Sequence, residues 1–190
     1  MKKIIAGSLI ATSLLLGNNA VEVNINNDTL EVEADIYLND SYDVSNNSNY
    51  YLTVGHIRTE NDNAETQSLT TAGLKVLNPF TDDNGISFGL GMKSVYTNQL
   101  SKTFFALPLS AYGKIELSEV IYIDAEVSYA PSVLSLSDAK SYTDMKAKLN
   151  YKVLENGYVF IGARSIETKY ESGITSKFDT SAFIGLEIRF

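Results

Sequence analysis

Polarity alternates with a period of two residues along nearly the whole chain, and this pattern constrains the fold more than any other feature. The clearest stretch is Ile86 to Tyr96. Ile86, Phe88, Leu90, Met92 and Tyr96 fill its even positions with only Ser94 polar, while Ser87, Gly89, Gly91, Lys93 and Val95 fill the odd ones. Successive side chains of a strand point to opposite faces, so one face is greasy and the other is small or charged. The pattern recurs in Leu30 to Leu38, where Leu30, Val32, Ala34, Ile36 and Leu38 oppose Glu31, Glu33, Asp35 and Tyr37. It recurs in Ile121 to Tyr129, with Tyr122, Asp124, Glu126 and Ser128 on the polar side, and in Met145 to Val153, with Lys146, Lys148, Asn150 and Lys152. Further strands are expected over 50–58, 66–77, 103–116, 158–167 and 181–190. Helical spacing is nowhere sustained, so the chain reads as all-β.

Alternation alone does not separate a soluble sandwich, apolar face inward, from a membrane barrel, apolar face outward. Strand length does: these strands run to about 10 residues, the span of a transmembrane strand, against about 5 or 6 for soluble ones. The 12 tyrosines and 8 phenylalanines cluster near strand ends, at Tyr50-Tyr51, Tyr96, Phe104-Phe105, Tyr129, Tyr142, Tyr158 and Phe190, as interfacial girdles require. Counted back from the C-terminus, connections alternate between long (168–180, 131–141) and short (154–157, 117–119), although 78–85 and 39–49 are long for their side. Nine strands are plain, and a barrel with both ends on one side needs an even number. Val21 to Ile25 also alternates and joins Leu30 through the turn-forming run Asn26-Asn27-Asp28. The expectation is an antiparallel up-and-down transmembrane β-barrel of ten strands; the alternative has eight, with residues 21–49 outside the ring.

Lys2 and Lys3 precede the apolar run Ile4 to Leu16 and then Gly17-Asn18-Asn19-Ala20. This is the order of a secretory signal peptide, too short in its apolar part to span a bilayer, so residues 1–20 read as a cleaved leader and 21–190 as the barrel. A retained anchor or a core helix is the competing reading. No later apolar stretch approaches 18 residues, which excludes a helical membrane protein and leaves the outer membrane of a Gram-negative bacterium as the expected location. There is no cysteine, hence no disulfide, thiolate metal site or lipidation cysteine. Without Lys2 and Lys3, 13 basic residues face 23 acidic ones, a balance that argues against nucleic-acid partners.

The final strand places Ala182, Ile184, Leu186, Ile188 and Phe190 on one face and Phe183, Gly185, Glu187 and Arg189 on the other. It resembles the C-terminal assembly signal of bacterial outer-membrane proteins. The resemblance implies that Phe183, Gly185, Leu186, Ile188 and Phe190 are read by the barrel assembly machinery after delivery by periplasmic chaperones. Gly73-Leu74-Lys75-Val76-Leu77-Asn78-Pro79-Phe80, Lys93-Ser94-Val95-Tyr96-Thr97-Asn98 and Tyr129-Ala130-Pro131-Ser132-Val133-Leu134-Ser135 are similar to segments of the YfaZ family of small outer-membrane proteins, in the family's order over roughly residues 70–190. That resemblance implies location and fold and supplies no catalytic or binding residue.

His56 is the single histidine, which excludes multi-histidine metal sites and leaves any lipid-hydrolase chemistry dependent on it. Sharing a strand face with Leu52 and Val54, it is expected to point toward lipid headgroups. Gly85-Ile86-Ser87-Phe88-Gly89-Leu90-Gly91 lacks the spacing of a phosphate loop. Carboxylate pairs such as Glu31 and Glu33 are explained by a partnered lumen more cheaply than by acid/base catalysis. No catalytic, cofactor-binding or metal-ligating residue is therefore assigned. The expected lumen carries both signs, with Glu31, Glu33, Asp35, Glu116, Asp124, Glu126 and Glu187 against Lys75, Lys93, Lys114, Lys146, Lys148, Lys152, Arg164 and Arg189. Isolated buried charges are costly and paired ones tolerable, so this interior reads as a salt-bridged plug. A register in which paired residue numbers sum to 272 sets Glu126 opposite Lys146 and Asp124 opposite Lys148, a charge ladder between two neighbouring strands. The functional expectation is a non-enzymatic barrel, set in outer-membrane lipid and lipopolysaccharide, that serves envelope integrity or surface interaction through loops near 59–66, 131–141 and 168–180. A narrow channel for ions or small solutes is the alternative, and a lipid-modifying enzyme using His56 a distant third.

Overall fold

The computed structural model describes residues 19–38, 48–60, 66–79, 85–99, 102–137 and 139–190. Apart from Asn19 and Ala20 the expected leader lies outside the described residues, as do 39–47, 61–65 and 80–84 of the expected connections. The strands are β1 (Ala20–Ile25), β2 (Thr29–Tyr37), β3 (Asn49–Thr59), β4 (Gln67–Pro79) and β5 (Ile86–Gln99). They continue with β6 in two pieces (Lys102–Ala106 and Leu109–Glu116), β7 (Ile121–Ala130), β8 (Ala139–Leu154), β9 (Gly157–Tyr170) and β10 (Thr175–Arg189). Every sequential neighbour pairs antiparallel, and β1 closes on β10 from Ala20↔Arg189 to Ile25↔Ile184. The result is a closed ten-stranded barrel with β1 and β2 in the ring, so the eight-stranded alternative falls.

Three details depart from the expected strands. First, β6 is interrupted: both pieces pair with β5 in one register, and at Leu107-Pro108 the ladder lacks a bond because proline has no N–H to give. The Pro108 carbonyl instead accepts from Lys93 N at 3.1 Å. Second, the connection expected over 168–180 is mostly strand, since β9 runs to Tyr170 and β10 starts at Thr175. A register shift lies at Ile166/Glu167, opposite Lys177 and Asp179, so the two-residue alternation slips there and conceals the strand in the sequence. Third, the connection expected over 131–141 ends at β8 and holds a 3-10 turn, Ser132–Leu134, and a short strand, Ser135–Ser137, laid along the first piece of β6.

The outer face is built from cross-strand rows. Ile86, Ile115, Ile123, Leu149, Ile161, Ile184, Ile25 and Leu30 are paired one to the next through seven ladders, a continuous band of branched aliphatics around the wall. Leu90, Met92, Val127, Met145, Leu186 and Ile188 add to this exposed apolar surface. A surface of this size and polarity fits lipid rather than water. Tyr96, Phe105 and Tyr129 face outward toward one end of the barrel and Tyr50, Phe88 and Tyr151 toward the other, in two girdles. Phe104, Tyr51, Tyr142 and Tyr158 do not join them, because their positions carry the inward phase.

Candidate functional site

The lumen is stacked in three layers. For reference, the terminal end is the one holding Ala20 and Arg189, and the far end holds Thr29, Thr59 and Tyr170.

At the far end the interior is mainly apolar, with buried hydroxyls such as those of Thr29, Thr59 and Thr168 among the apolar side chains. Ile57, Leu69, Val95, Phe104, Tyr142, Ile166, Tyr170 and Phe178 pack into one buried cluster with Ala106, Ala130 and Ala139. The Phe104 ring contacts Tyr142 at 6.1 Å and Tyr170 at 6.2 Å between centroids, tilted and edge-on as aromatic quadrupoles prefer. Leu69, Val95, Phe104, Tyr142 and Ile166 are shielded from solvent on both sides, so this layer closes the bore.

Below it lies a charged layer. Lys146 Nζ sits 2.9 Å from Glu31, 3.3 Å from Glu33 and 3.8 Å from Glu22. Lys148 pairs with Glu22 and, at 3.5 Å, with Asp124. Lys93 pairs with Glu126 and, at 3.6 Å, with Asp144. The Arg164 guanidinium bridges Glu31 at 2.6 Å and Asp179 at 2.5 Å, donates to Asn24 at 3.1 Å and lies over the Phe183 ring. Each cation is thus shared by two or three carboxylates, an arrangement that compensates buried charge better than isolated pairs do.

The terminal end opens into a cavity of about 570 Å³ whose walls carry Tyr51, Tyr112, Tyr122 and Tyr158 and whose floor is the charged layer. Lys75, Lys114 and Arg189 stand at its rim over these rings.

The β7–β8 register is the one read from the charges: Glu126 opposes Lys146, Asp124 opposes Lys148 and Tyr122 opposes Asn150. The pairing is less local than a ladder. Lys148 does reach Asp124, but Lys146 turns across the bore to Glu31 and Glu33, and Glu126 takes Lys93. Of the residues expected to be read as an assembly signal, Leu186 and Ile188 lie on the lipid-facing wall, whereas Phe183 and Gly185 face the lumen. Phe190 extends the β1 ladder through two backbone bonds to Asn19, at 3.0 and 3.1 Å. His56 faces outward, its Nδ1 bonded to Thr70 Oγ1 at 2.9 Å. Among the described residues no group of three His, Asp or Glu side chains is placed to hold a metal ion.

Sequence reasoning missed two components of this site. Glu22, Asp144 and Asp179 belong to the charged layer and were not placed there. The apolar layer was legible in consecutive bulky residues at strand ends, Val95-Tyr96 and Phe104-Phe105, which make both faces apolar; Val95 reads as inward, but Phe104 reads with Phe105 as a girdle residue.

Among solved structures the chain is similar to that of a porin, NanC, at 10% identity and a TM-score of 0.50, covering 92% of this chain and 100% of that one. It is more distantly similar to the outer membrane channel DcaP of Acinetobacter baumannii, at 9% identity and a TM-score of 0.46 over 90% of this chain and 62% of that one. OmpT of Vibrio cholerae aligns at 12% identity and a TM-score of 0.44, over 90% and 64%. The likeness to NanC shows the fold and nothing finer. A search of curated proteins by sequence finds no match. The family model described as the YfaZ precursor matches residues 1–190, the full stretch rather than the 70–190 that carried the resemblance, and this chain belongs to the YfaZ family.

Proposed function

We propose that this protein is a non-conducting, non-enzymatic barrel of the outer membrane, its terminal end in the periplasm, contributing to envelope integrity or surface interaction. The observation that carries the reading is the buried apolar cluster packed across the far end of the lumen. The shared ion pairs beneath it support the same reading, because each cation that could attract a permeating anion is already held by protein carboxylates. The outward placement of His56, hydrogen-bonded to the Thr70 hydroxyl, supports a non-enzymatic role. Outer-membrane lipid and lipopolysaccharide are the proposed surroundings, with biogenesis through periplasmic chaperones and the assembly machinery. Planar-bilayer recording with the folded barrel tests the proposal: a silent insertion is expected, and steady unitary conductance overturns it.

A further inference from the structure

We infer that the cavity at the terminal end is a binding site for a small neutral saccharide. The inference rests on the closed-bore reading, since a chamber shut above by the apolar layer receives and releases its occupant through one mouth. At about 570 Å³ it falls within the roughly 300–1,000 Å³ typical of small-molecule sites.

The rim repeats one unit three times around the barrel. On β2–β4, Lys75 pairs with Asp35 and lies 5.3 Å from the centre of the Tyr51 ring. On β6–β7, Lys114 pairs with Glu116 at 2.6 Å and lies 4.8 Å from the Tyr122 ring. On β9–β10, Arg189 pairs with Glu187 at 2.5 Å and lies 4.2 Å from the Tyr158 ring. Tyr122 adds its hydroxyl to the third unit, accepting from Arg189 at 2.6 Å. Each unit combines an aromatic ring, a cation lying over it and a carboxylate, and so sets a donor and an acceptor against an aromatic side chain.

The pairing selects the ligand's charge. At these three rim units, an anion would have to displace Asp35, Glu116 or Glu187 from its cation, and an organic cation would have to displace Lys75, Lys114 or Arg189. Either exchange leaves a carboxylate or a cation uncompensated in a half-buried site. A neutral ring bearing hydroxyls breaks no pair: each hydroxyl donates to a carboxylate and accepts from the neighbouring ammonium or guanidinium, while the C–H faces of the ring lie against tyrosine.

The chain has 12 tyrosines and no tryptophan, so tyrosine emission reports ring contacts directly. The test titrates the detergent-folded full barrel with maltose and with chitobiose, alongside glucuronate, putrescine and glycylglycine as charged and zwitterionic probes. Saturable change with at least one neutral disaccharide is expected, and binding weakened about tenfold by Tyr158→Leu or Tyr51→Leu, the scale of one lost ring contact. The outward Tyr96→Leu should leave it unchanged. Heat-modifiable gel migration confirms that each variant is folded, and the two inward variants lie on opposite walls, so misfolding of one leaves the other as the test. No response to either disaccharide, tighter binding of a charged or zwitterionic probe, or indifference to both inward substitutions overturns the inference. Because binding is read in detergent and conduction in bilayers, a conducting barrel that binds sugar and a silent barrel that does not are separate results.

Discussion

Arg164 has a side chain with no solvent exposure, held by Glu31, Asp179 and Asn24 and lying over Phe183. Its Nη2 finds no partner in the described residues, so even this site is not fully saturated. Removing the guanidinium leaves two carboxylates sharing fewer cations in a buried layer. Arg164→Leu should therefore lower the unfolding free energy of the folded barrel by about 3–5 kcal/mol, measured by urea titration in detergent. Lys114→Met, at a rim pair whose carboxylate is half-exposed, should cost less than about 1 kcal/mol by the same measurement. A loss at position 114 as large as that at 164 would remove the distinction between floor and rim. The sequence placed Arg164 in the lumen because the two-residue phase alone fixes which face it takes. It could not give its partners: Asp179 sits beyond a register shift, and Glu31 lies on a strand more than 130 residues away along the chain.

At the scale of strands, β9 and β10 are joined by two reciprocal pairs in which a glycine faces a phenylalanine: Gly162↔Phe183 and Phe160↔Gly185. Each ring lies over the opposite glycine, and the two rings meet edge-on at 6.2 Å. A methyl group at Gly185 would collide with Phe160 Cζ and lie 2.6 Å from the Val23 carbonyl, and one at Gly162 would lie 2.5 Å from Phe183 Cζ and 2.7 Å from the Ala147 carbonyl. Gly185→Ala should destabilise by about 1–3 kcal/mol, with partial recovery when Phe160→Leu is added, measured as a double-mutant cycle. Equal losses in the single and double variants would show that the carbonyl contact decides the cost. This arrangement also explains why Gly185 and Phe183 sit inward while their neighbours Ile184 and Leu186 face lipid. The β7–β8 register was legible because charges of opposite sign make one alignment better than its neighbours. A cysteine-free chain lets this be checked simply: Ala125→Cys with Ala147→Cys, a directly opposed outward pair, should cross-link on oxidation, and Ala125→Cys with Tyr151→Cys should not. The far end of β10 was not legible, because the register shift there moves its inward phase from Ser176 and Phe178 to Phe183 and Glu187, whereas β9 keeps one phase to Tyr170.

For the whole molecule, the question is which layer keeps the bore shut. The count of ten strands followed from the sequence through the short alternating run at Val21 to Ile25, but the division of the interior did not, because layering depends on how far along the barrel axis each inward residue sits. Strands that enter the ring with a stagger bring residues of distant sequence to one height, as when Leu69, Val95, Phe104, Tyr142 and Ile166 meet. If the apolar layer is the barrier, thinning it should open the bore. Phe104→Ala combined with Tyr142→Ala and Tyr170→Ala removes the Phe104 ring and the two tyrosine rings packed on it, and leaves the ion pairs of the charged layer in place. Each large-to-small change in a packed core costs about 3–5 kcal/mol, so the single Tyr142→Ala variant is recorded beside the triple one, and heat-modifiable migration selects molecules that have folded. Wild type and the outward control Tyr129→Ala should be silent in planar bilayers, and the triple variant should show unitary steps. Cations should pass more readily than anions, because the layer then exposed contains more carboxylates than ammonium and guanidinium groups. A folded triple variant that stays silent would move the barrier to the charged layer, where Lys146→Ala is the next substitution to record.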